Sequence, residues 1–448
     1  MKKYIIQFIL SAVIMTMSFT SCKKGFFYNG INDNPQDLKD PNASVLFPSV
    51  LMSSAYEYGG DESRFPSIFM QQVTGAANQS ISAGIYNISP DDVDNMWTFG
   101  FYGGIMNNAR DLIDITHANN QHYYHAAGQI TMANLLMRVT DLWGDVPYSK
   151  AFMGEASKNA PFDSQQVLYD TIFMYLNNAV TEIAAGDESS LQPGSAQDDD
   201  YIYHGDMDQW IKFAHALKAR AFIHLVKQVP AYYDSVLKEI PLAFQSNADN
   251  AVVPFTGSSV NTQNPTFQFN DQRGDITYDG TLQTMLADMK DPRFNVYYNS
   301  KDNTVLGALY GSETSPINLM TYEELKFIEA EAQFQKGNKA AAASAYNAAV
   351  EASLLRTVGK ADYATSVQKS AGNITLSDIM TQKYIALFLT AEVWTDWRRT
   401  GIPVLKAPSG NVTGGVIPRA LLYPSSEQRY NSNTPKGRTL TSKVWWDK

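Results

Sequence analysis

Three observations predict an all-α, or mainly α, chain that carries a large irregular, loop-rich face. Apolar residues recur at intervals of three and four through several long segments, the mark of helices with one buried side. Runs with the two-residue alternation of strands are few and short. Between the helical segments lie stretches of Gly, Asn, Asp, Pro and Ser, which carry turn chemistry in place of periodicity.

The elements follow in order. "DDVDNMWTFGFYGGIMNNARDLIDITHA" begins after Pro90 and sets Val93, Met96, Trp97, Ile105, Ala109, Leu112 and Ile115 on a helical pattern. Gly100, Gly103 and Gly104 interrupt it, which predicts a kink or close helix packing. "QITMANLLMRVTDLWG" continues with Ile130, Ala133, Leu136, Met137 and Thr140 and stops at Gly144. "DSQQVLYDTIFMYLNNAVTEI" carries a stripe of Val167, Ile172, Leu176, Ala179, Val180 and Ile183, with Asp163 as the expected N-cap. An acidic loop over residues 187–205 precedes "DMDQWIKFAHALKARAFIHLV", whose Trp210, Phe213, Ala214, Leu217, Ala221 and Leu225 face a core. Between about 246 and 277 the pattern dissolves, and no substantial helix is expected there. Residues 322–355 read as a helical hairpin with "KGNK" as its turn. "LSDIMTQKYIALFLTAEVWTDWRRTG" reads as one last long helix, opened by a Thr375–Asp378 capping box and closed by Gly401. The tail beyond 402 is irregular.

Within the hairpin, small and aromatic residues fall at Ala330, Gly337, Ala342, Tyr346 and Ala349, the spacing of a tetratricopeptide unit. Lys326 and Glu329 depart from that pattern, standing where an aromatic and an apolar residue are usual. Neighbouring helix pairs make a stack of such units the expected architecture.

Composition bounds the function. Hydrophobic residues make up 44% of 448, enough for a sizeable core. A formal charge of −10 argues against nucleic acid or an anionic membrane surface as partner. Tyr and Trp, at 25 and 7, suit half-exposed binding surfaces because each ring has an apolar body and a polar tip. The single cysteine, Cys22, excludes a disulfide scaffold and a Cys-ligated zinc site. Its place is informative: Lys2 and Lys3 precede an apolar run over residues 4–19, and the small residues Thr20 and Ser21 follow. That is a secretory signal over residues 1–21, too short to span a membrane. It ends as a bacterial lipoprotein signal does, so Cys22 is the expected lipidated N-terminus; an ordinary cleaved signal is the alternative. Residues 22–40 then read as a tether, and 41–448 as one domain.

The chain resembles the SusD/RagB family of Bacteroidota outer-membrane lipoproteins. The resemblance rests on the signal ending at Cys22, on "NPQDLKDPNASVLFPSVLMSSA" (34–55) and on "MANLLMRVTDLWGDVPYSKAF" (132–152). It continues through "NPTFQFNDQRGD", "MKDPRF", "YEELKFIEAEA" and "AEVWTDWRRTGIP" in the family's order. It implies a right-handed stack of tetratricopeptide helix pairs that is not an enzyme. It also implies capture of a glycan or oligosaccharide at the outer membrane and its delivery to a SusC-type TonB-dependent transporter. Capture of peptide or another nutrient is the alternative on the same scaffold, and a helical glycoside hydrolase a more distant one. The "CKKGFF" after cleavage departs from the family, whose members often carry acids directly after the cysteine and so face the cell exterior; here the first acid is Asp33.

No phosphate loop, nucleophile elbow or HExxH stretch is present. His117, His122 and His125 are close in sequence but have no Glu beside them, and read as a solvated helix junction. Asp198, Asp199 and Asp200 offer oxygens to calcium but lack the alternating spacing of a calcium loop. Asp141 and Asp145 flank Trp143, which reads, with Trp394 and Trp397, as helix packing. Saccharide binding needs an aromatic face for CH patches and amides or charges for hydroxyls. Two loops offer these: one with Asn78, Gln79, Tyr86 and Trp97, the other with Asn270, Arg273, Asp275 and Tyr278. The same groups could instead pin the loops to the helices.

Overall fold

A computed structural model describes residues 42–187, 191–192, 194 and 198–448. The signal, Cys22 and the tether lie outside the described residues. From Ala43 to Lys448 the chain forms one mainly helical unit. None of its described helices is long and apolar enough to cross a membrane.

Helix α1 (Ala43–Gly59) and α2 (Asp61–Phe69) open the unit. After a loop-rich segment comes a π-helical stretch, Met96–Met106, which runs into α3 (Asn107–Ala118). The interrupting glycines explain the wider turn: a Cβ on Gly103 or Gly104 would lie 2.5 or 2.6 Å from the carbonyl oxygens of Thr98 and Phe99. Helix α4 (His122–Trp143) is buried on all sides from Ala126 onward, and ends at Gly144 with φ +84°. It packs along α5 (Gln165–Ala185). On α5 the predicted Ile172, Leu176, Ala179 and Ile183 are buried and Val180 partly so; Val167 is exposed, and Leu168 takes its place in the core. The cap is Ser164, whose hydroxyl accepts from Val167 N at 3.4 Å. Asp163 instead accepts from the Tyr148 and Ser149 amides and orders that turn.

Helix α6 (Met207–His224) buries the whole predicted stripe and pairs with α7 (Tyr232–Glu239). The region from 246 to 277 does contain a helix, α8 (Pro265–Arg273). Its signals are local rather than periodic: Asn264 Oδ1 accepts from Phe267 N at 3.0 Å, Pro265 takes the first turn, and Gly274 closes it at φ +61°. The hairpin is α9 (Tyr322–Gln335) and α10 (Lys339–Val358). Ala330, Ala342, Tyr346 and Ala349 are buried between them, and the two off-pattern residues, Lys326 and Glu329, pair with each other. The last long helix is broken into α11 (Leu376–Ala386) and α12 (Glu392–Thr400). The buried amide of Gln72 holds the break, donating to Tyr384 O and accepting from Leu389 N, both at 3.0 Å. The Thr375–Asp378 capping box and Gly401 (φ +71°) stand where the sequence placed them. Among the described residues, the strands form three two-stranded pairs of two to four residues.

Several charged groups buried between the helices meet an opposite charge. Arg138 of α4 binds Glu62 of α2, and Arg220 of α6 binds Glu324 of α9 at 2.6 and 2.7 Å. Arg399 of α12 binds Glu331 of α9 at 2.7 and 2.9 Å. His224, fully buried at the end of α6, lies 2.7 Å from Glu392 and 3.1 Å from Asp141. Burial opposes its charge, but Glu392 and Asp141 overcome that and lift His224 from 6.5 to about 9.

Arg220→Ala should leave Glu324 buried without its partner and cost about 3–5 kcal/mol, read as a lower urea midpoint. Because the folded state raises the His224 pKa, its contribution is full below pH 6.5 and fades as pH rises through about 9. The wild-type melting temperature should therefore fall across that window, and the fall should be smaller in His224→Gln.

Candidate ligand-binding face

The two loops singled out in the sequence meet. Thr74 pairs with Thr277 and Gly75 with Ile276 in an antiparallel bridge. Only glycine fits at 75, because a Cβ there would lie 1.7 Å from Ser80 O. Buried Asp275 clasps the junction. One carboxylate oxygen accepts from Asn78 Nδ2 at 2.7 Å and the other from Arg273 Nε at 2.9 Å, while its carbonyl accepts from the Ala76 and Ala77 amides. Asn270 donates to the Tyr278 hydroxyl at 2.7 Å. Gln79 lies in the same loop, with its amide on Asp92 at 2.7 Å.

Asn78, Asn270, Arg273, Asp275 and Tyr278 are thus drawn together, largely by bonds to one another. Asn78 and Arg273 are the exposed members. Tyr86 and Trp97, expected as open ring faces, are core residues. Tyr86 is fully buried with its edge to Phe69, 5.9 Å between centroids. Trp97 stacks on Tyr102 at 4.5 Å and meets Trp143 edge-on at 5.1 Å. Loop sequence around a ring shows its polarity but not whether a neighbouring helix will cover it.

Beside this junction opens a cavity of about 660 Å³, within the range of small-ligand sites. It lies among the end of α1, α2, the π-helix and α8. Aromatic walls come from Tyr56, Phe269, Tyr278 and Phe99, the last 74% exposed. Tyr56 donates to Gln268 at 2.7 Å. Arg64 stands 4.1 Å over the Phe269 ring and binds Asp61 at 2.7 Å. Glu57 reaches into the same space, and its Oε1 is buried with no hydrogen-bond partner. Burial, reinforced by Asp61 and Glu62, pushes the Glu57 carboxyl well above the usual carboxylate range, against the smaller pull of Arg138 and Arg64. Sequence reading missed Glu57, although one signal was available: Leu46, Val50, Ser53 and Glu57 follow at helical spacing, which sets a carboxylate beside the core-facing side of α1.

The remaining chemistry-bearing residues serve the fold. His122 and His125 share Glu182 of α5, each at 2.8 Å, so long-range packing supplies the carboxylate that the local sequence lacks. The acidic loop is not simply solvated. Asp199 is buried against Tyr124, and Asp200 accepts from Trp210 Nε1 at 2.8 Å and from the Ile202, Tyr203 and Gly205 amides. Asp141 accepts from Tyr169 and from Trp446, both at 2.7 Å. Asp145 accepts from Gln165 N at the start of α5. Among the described residues, no group of three or more His, Cys, Asp or Glu is placed to hold a metal ion.

A mainly helical body with a large cavity set among helix ends, beside two paired loops, defines a helical scaffold with room for a ligand. Residues 35–424 match the SusD-like family model described as starch-binding and associating with the outer membrane, and the chain belongs to that SusD/RagB family. No curated protein matches it. Among solved structures, a SusD/RagB family protein of Bacteroides thetaiotaomicron is 22% identical, with a TM-score of 0.73 over 91% of this chain and 99% of that one. A SusD homologue of Bacteroides uniformis is also 22% identical, with a TM-score of 0.74 over 91% and 100%. A chitin-binding SusD homologue of Flavobacterium johnsoniae is 21% identical, with a TM-score of 0.76 over 90% and 98%.

Asp275→Ala removes the acceptor that joins the two loops. Hydrogen exchange should speed up at residues 74–78 and 274–278, while global stability falls by only about 1–3 kcal/mol, since Asn78 and Arg273 can turn to water.

Proposed function

We propose that the protein is a lipid-anchored outer-membrane protein that captures a glycan without cleaving it and hands it to a SusC-type TonB-dependent transporter. The observation that carries this reading is the family match over residues 35–424, with its starch-binding, outer-membrane description. The chitin-binding Flavobacterium homologue of the same fold adds to it. The cavity beside the paired loops offers what a saccharide needs, aromatic surface with amides and carboxyls at its edge. Asn78, Gln79, Asn270 and Arg273 are the predicted loop residues that keep polar groups near that face, with Asp275 and Tyr278 holding Asn78, Arg273 and Asn270, and Asp92 holding Gln79. Capture rather than hydrolysis is favoured by the engagement of Asp141 and Asp145 in structural hydrogen bonds. Cys22 is the anchor and the segment to residue 40 its tether.

The full chain in detergent should be retarded in gels containing soluble starch or glycol chitin and release no reducing ends from either. Unretarded migration in both gels, or steady release of reducing ends, overturns the reading. Cys22→Ser should abolish incorporation of labelled fatty acid and move the protein from the membrane to the soluble fraction.

A further inference from the structure

Two polar atoms in the cavity wall are buried without a partner, Ser67 Oγ and Glu57 Oε1, and only the second belongs to an ionisable group. Each other charged group around it is paired: Arg64 with Asp61, and Arg138 with Glu62. Glu57 is left over. A Cβ on Gly100 would lie 2.6 Å from Glu57 Oε2, so the glycine of the π-helix is what admits the carboxyl there. Its other oxygen, Oε1, is buried and unbonded. A buried polar atom without a partner is destabilising, and the chain could have avoided it with an apolar residue of similar size. In a cavity of this size such an atom is completed by water or by a ligand that displaces it.

We infer that Glu57 is the hydrogen-bonding floor of a saccharide subsite in this cavity, holding an uncharged sugar unit through its carboxyl group. This rests on the glycan reading above and narrows it to a class. With Glu57 protonated, the surrounding groups sum to zero: Asp61 and Glu62 against Arg64 and Arg138. An anionic sugar would place its charge beside Asp61, and among the described residues that line the cavity the cation, Arg64, is already paired with Asp61. Tyr56 and Tyr278 are the other titratable wall residues, and both hydroxyls are engaged, Tyr56 donating to Gln268 and Tyr278 accepting from Asn270. The protonated carboxyl gives one donor to a sugar oxygen and one acceptor to a hydroxyl, while Phe99, Phe269 and Tyr278 offer surface to the CH faces. The position of the carboxyl on the acid side of its titration follows from its burial and from Asp61 and Glu62 nearby.

The test is calorimetric titration of the full chain and of Glu57→Gln with maltohexaose and N-acetylchitohexaose, from about pH 5 to about pH 9. For whichever oligosaccharide binds, wild-type affinity should fall about tenfold as pH rises through the Glu57 titration. Glu57→Gln, which keeps a donor and an acceptor without a titrating proton, should bind as wild type does at low pH and hold that affinity throughout. Gly100→Ala, which crowds the carboxyl, should weaken binding while leaving the circular dichroism spectrum unchanged. Parallel pH profiles for wild type and Glu57→Gln overturn the subsite while leaving glycan capture standing. Stronger binding of a glucosamine oligomer that rises with pH also overturns it, because the ionised carboxylate would then be the binding form. Failure of both neutral oligosaccharides to bind at any pH overturns glycan capture and the subsite with it.

Discussion

The structure hangs on ion pairs buried between its helices. A charge taken out of water is costly, and a buried pair adds little net stability over an apolar pair of the same size. Its consequence is specificity: once Arg220 lies inside, only an arrangement that brings Glu324 to it is tolerable. The same holds for Arg399 with Glu331 and for Arg138 with Glu62. Long amphipathic helices with many Ala and Leu residues could slide or rotate against one another at small cost. These pairs fix which turn of α6 faces α9, which turn of α9 faces α12, and which turn of α4 faces α2. His224 joins two elements at once, because Asp141 comes from α4 and Glu392 from α12. The sequence stretches "DLWGDVPY" and "WTDWRRTG" therefore carry architecture. Arg398 is sandwiched by Trp394 and Trp446 at 4.0 and 4.6 Å and donates to Asp141 O at 2.7 Å.

Against that rigid side, the loop-rich face is assembled by single polar residues reaching across long sequence gaps. Asp275 ties the segment near 76 to the segment near 275, and Gln72 ties the end of α2 to the break between α11 and α12. Each does so by satisfying backbone or side-chain groups that would otherwise be orphaned. A face built this way can vary its exposed side chains without disturbing the register set by the ion pairs behind it. That division suits a scaffold whose relatives include both a chitin-binding protein and a family described by starch.

How much of this could be read beforehand follows the range of the interaction. Caps and stops are local, so the Thr375–Asp378 box, Gly144 and Gly401 were legible, and so was the small-residue seam of the α9–α10 hairpin. The core stripe of α6 was legible because its period is unbroken. Helix α8 was hidden because its nine residues carry too few apolar positions to show a period, although "NP" and "RG" marked its two ends. The break at Leu389 was hidden because its cause, Gln72, lies more than 300 residues away. At the candidate site, the pairing of two loops chosen for their polar and aromatic content was legible in outline. The fate of individual rings was not: Tyr86 and Trp97 differ from Phe99 in what covers them, and cover is a property of the packed fold.

Glu57 shows where the two kinds of constraint meet. It sits on α1, a helix that the ion pairs hold firmly through Arg138, Ser54 and Glu62. It points toward the π-helix, a long helical stretch with a widened turn, at the glycine whose missing side chain makes room for it. A polar group on a rigid element, with an unoccupied bonding direction, aimed into a cavity walled by aromatics, is pre-organised: its orientation has been fixed during folding and not at the moment of binding. On the proposed reading, the exposed loop amides can adapt to a long, repetitive ligand, whereas a fixed carboxyl in the cavity wall can discriminate one unit of it. A face that combines the two would recognise the class of ligand broadly along its surface and inspect its chemistry at a single point.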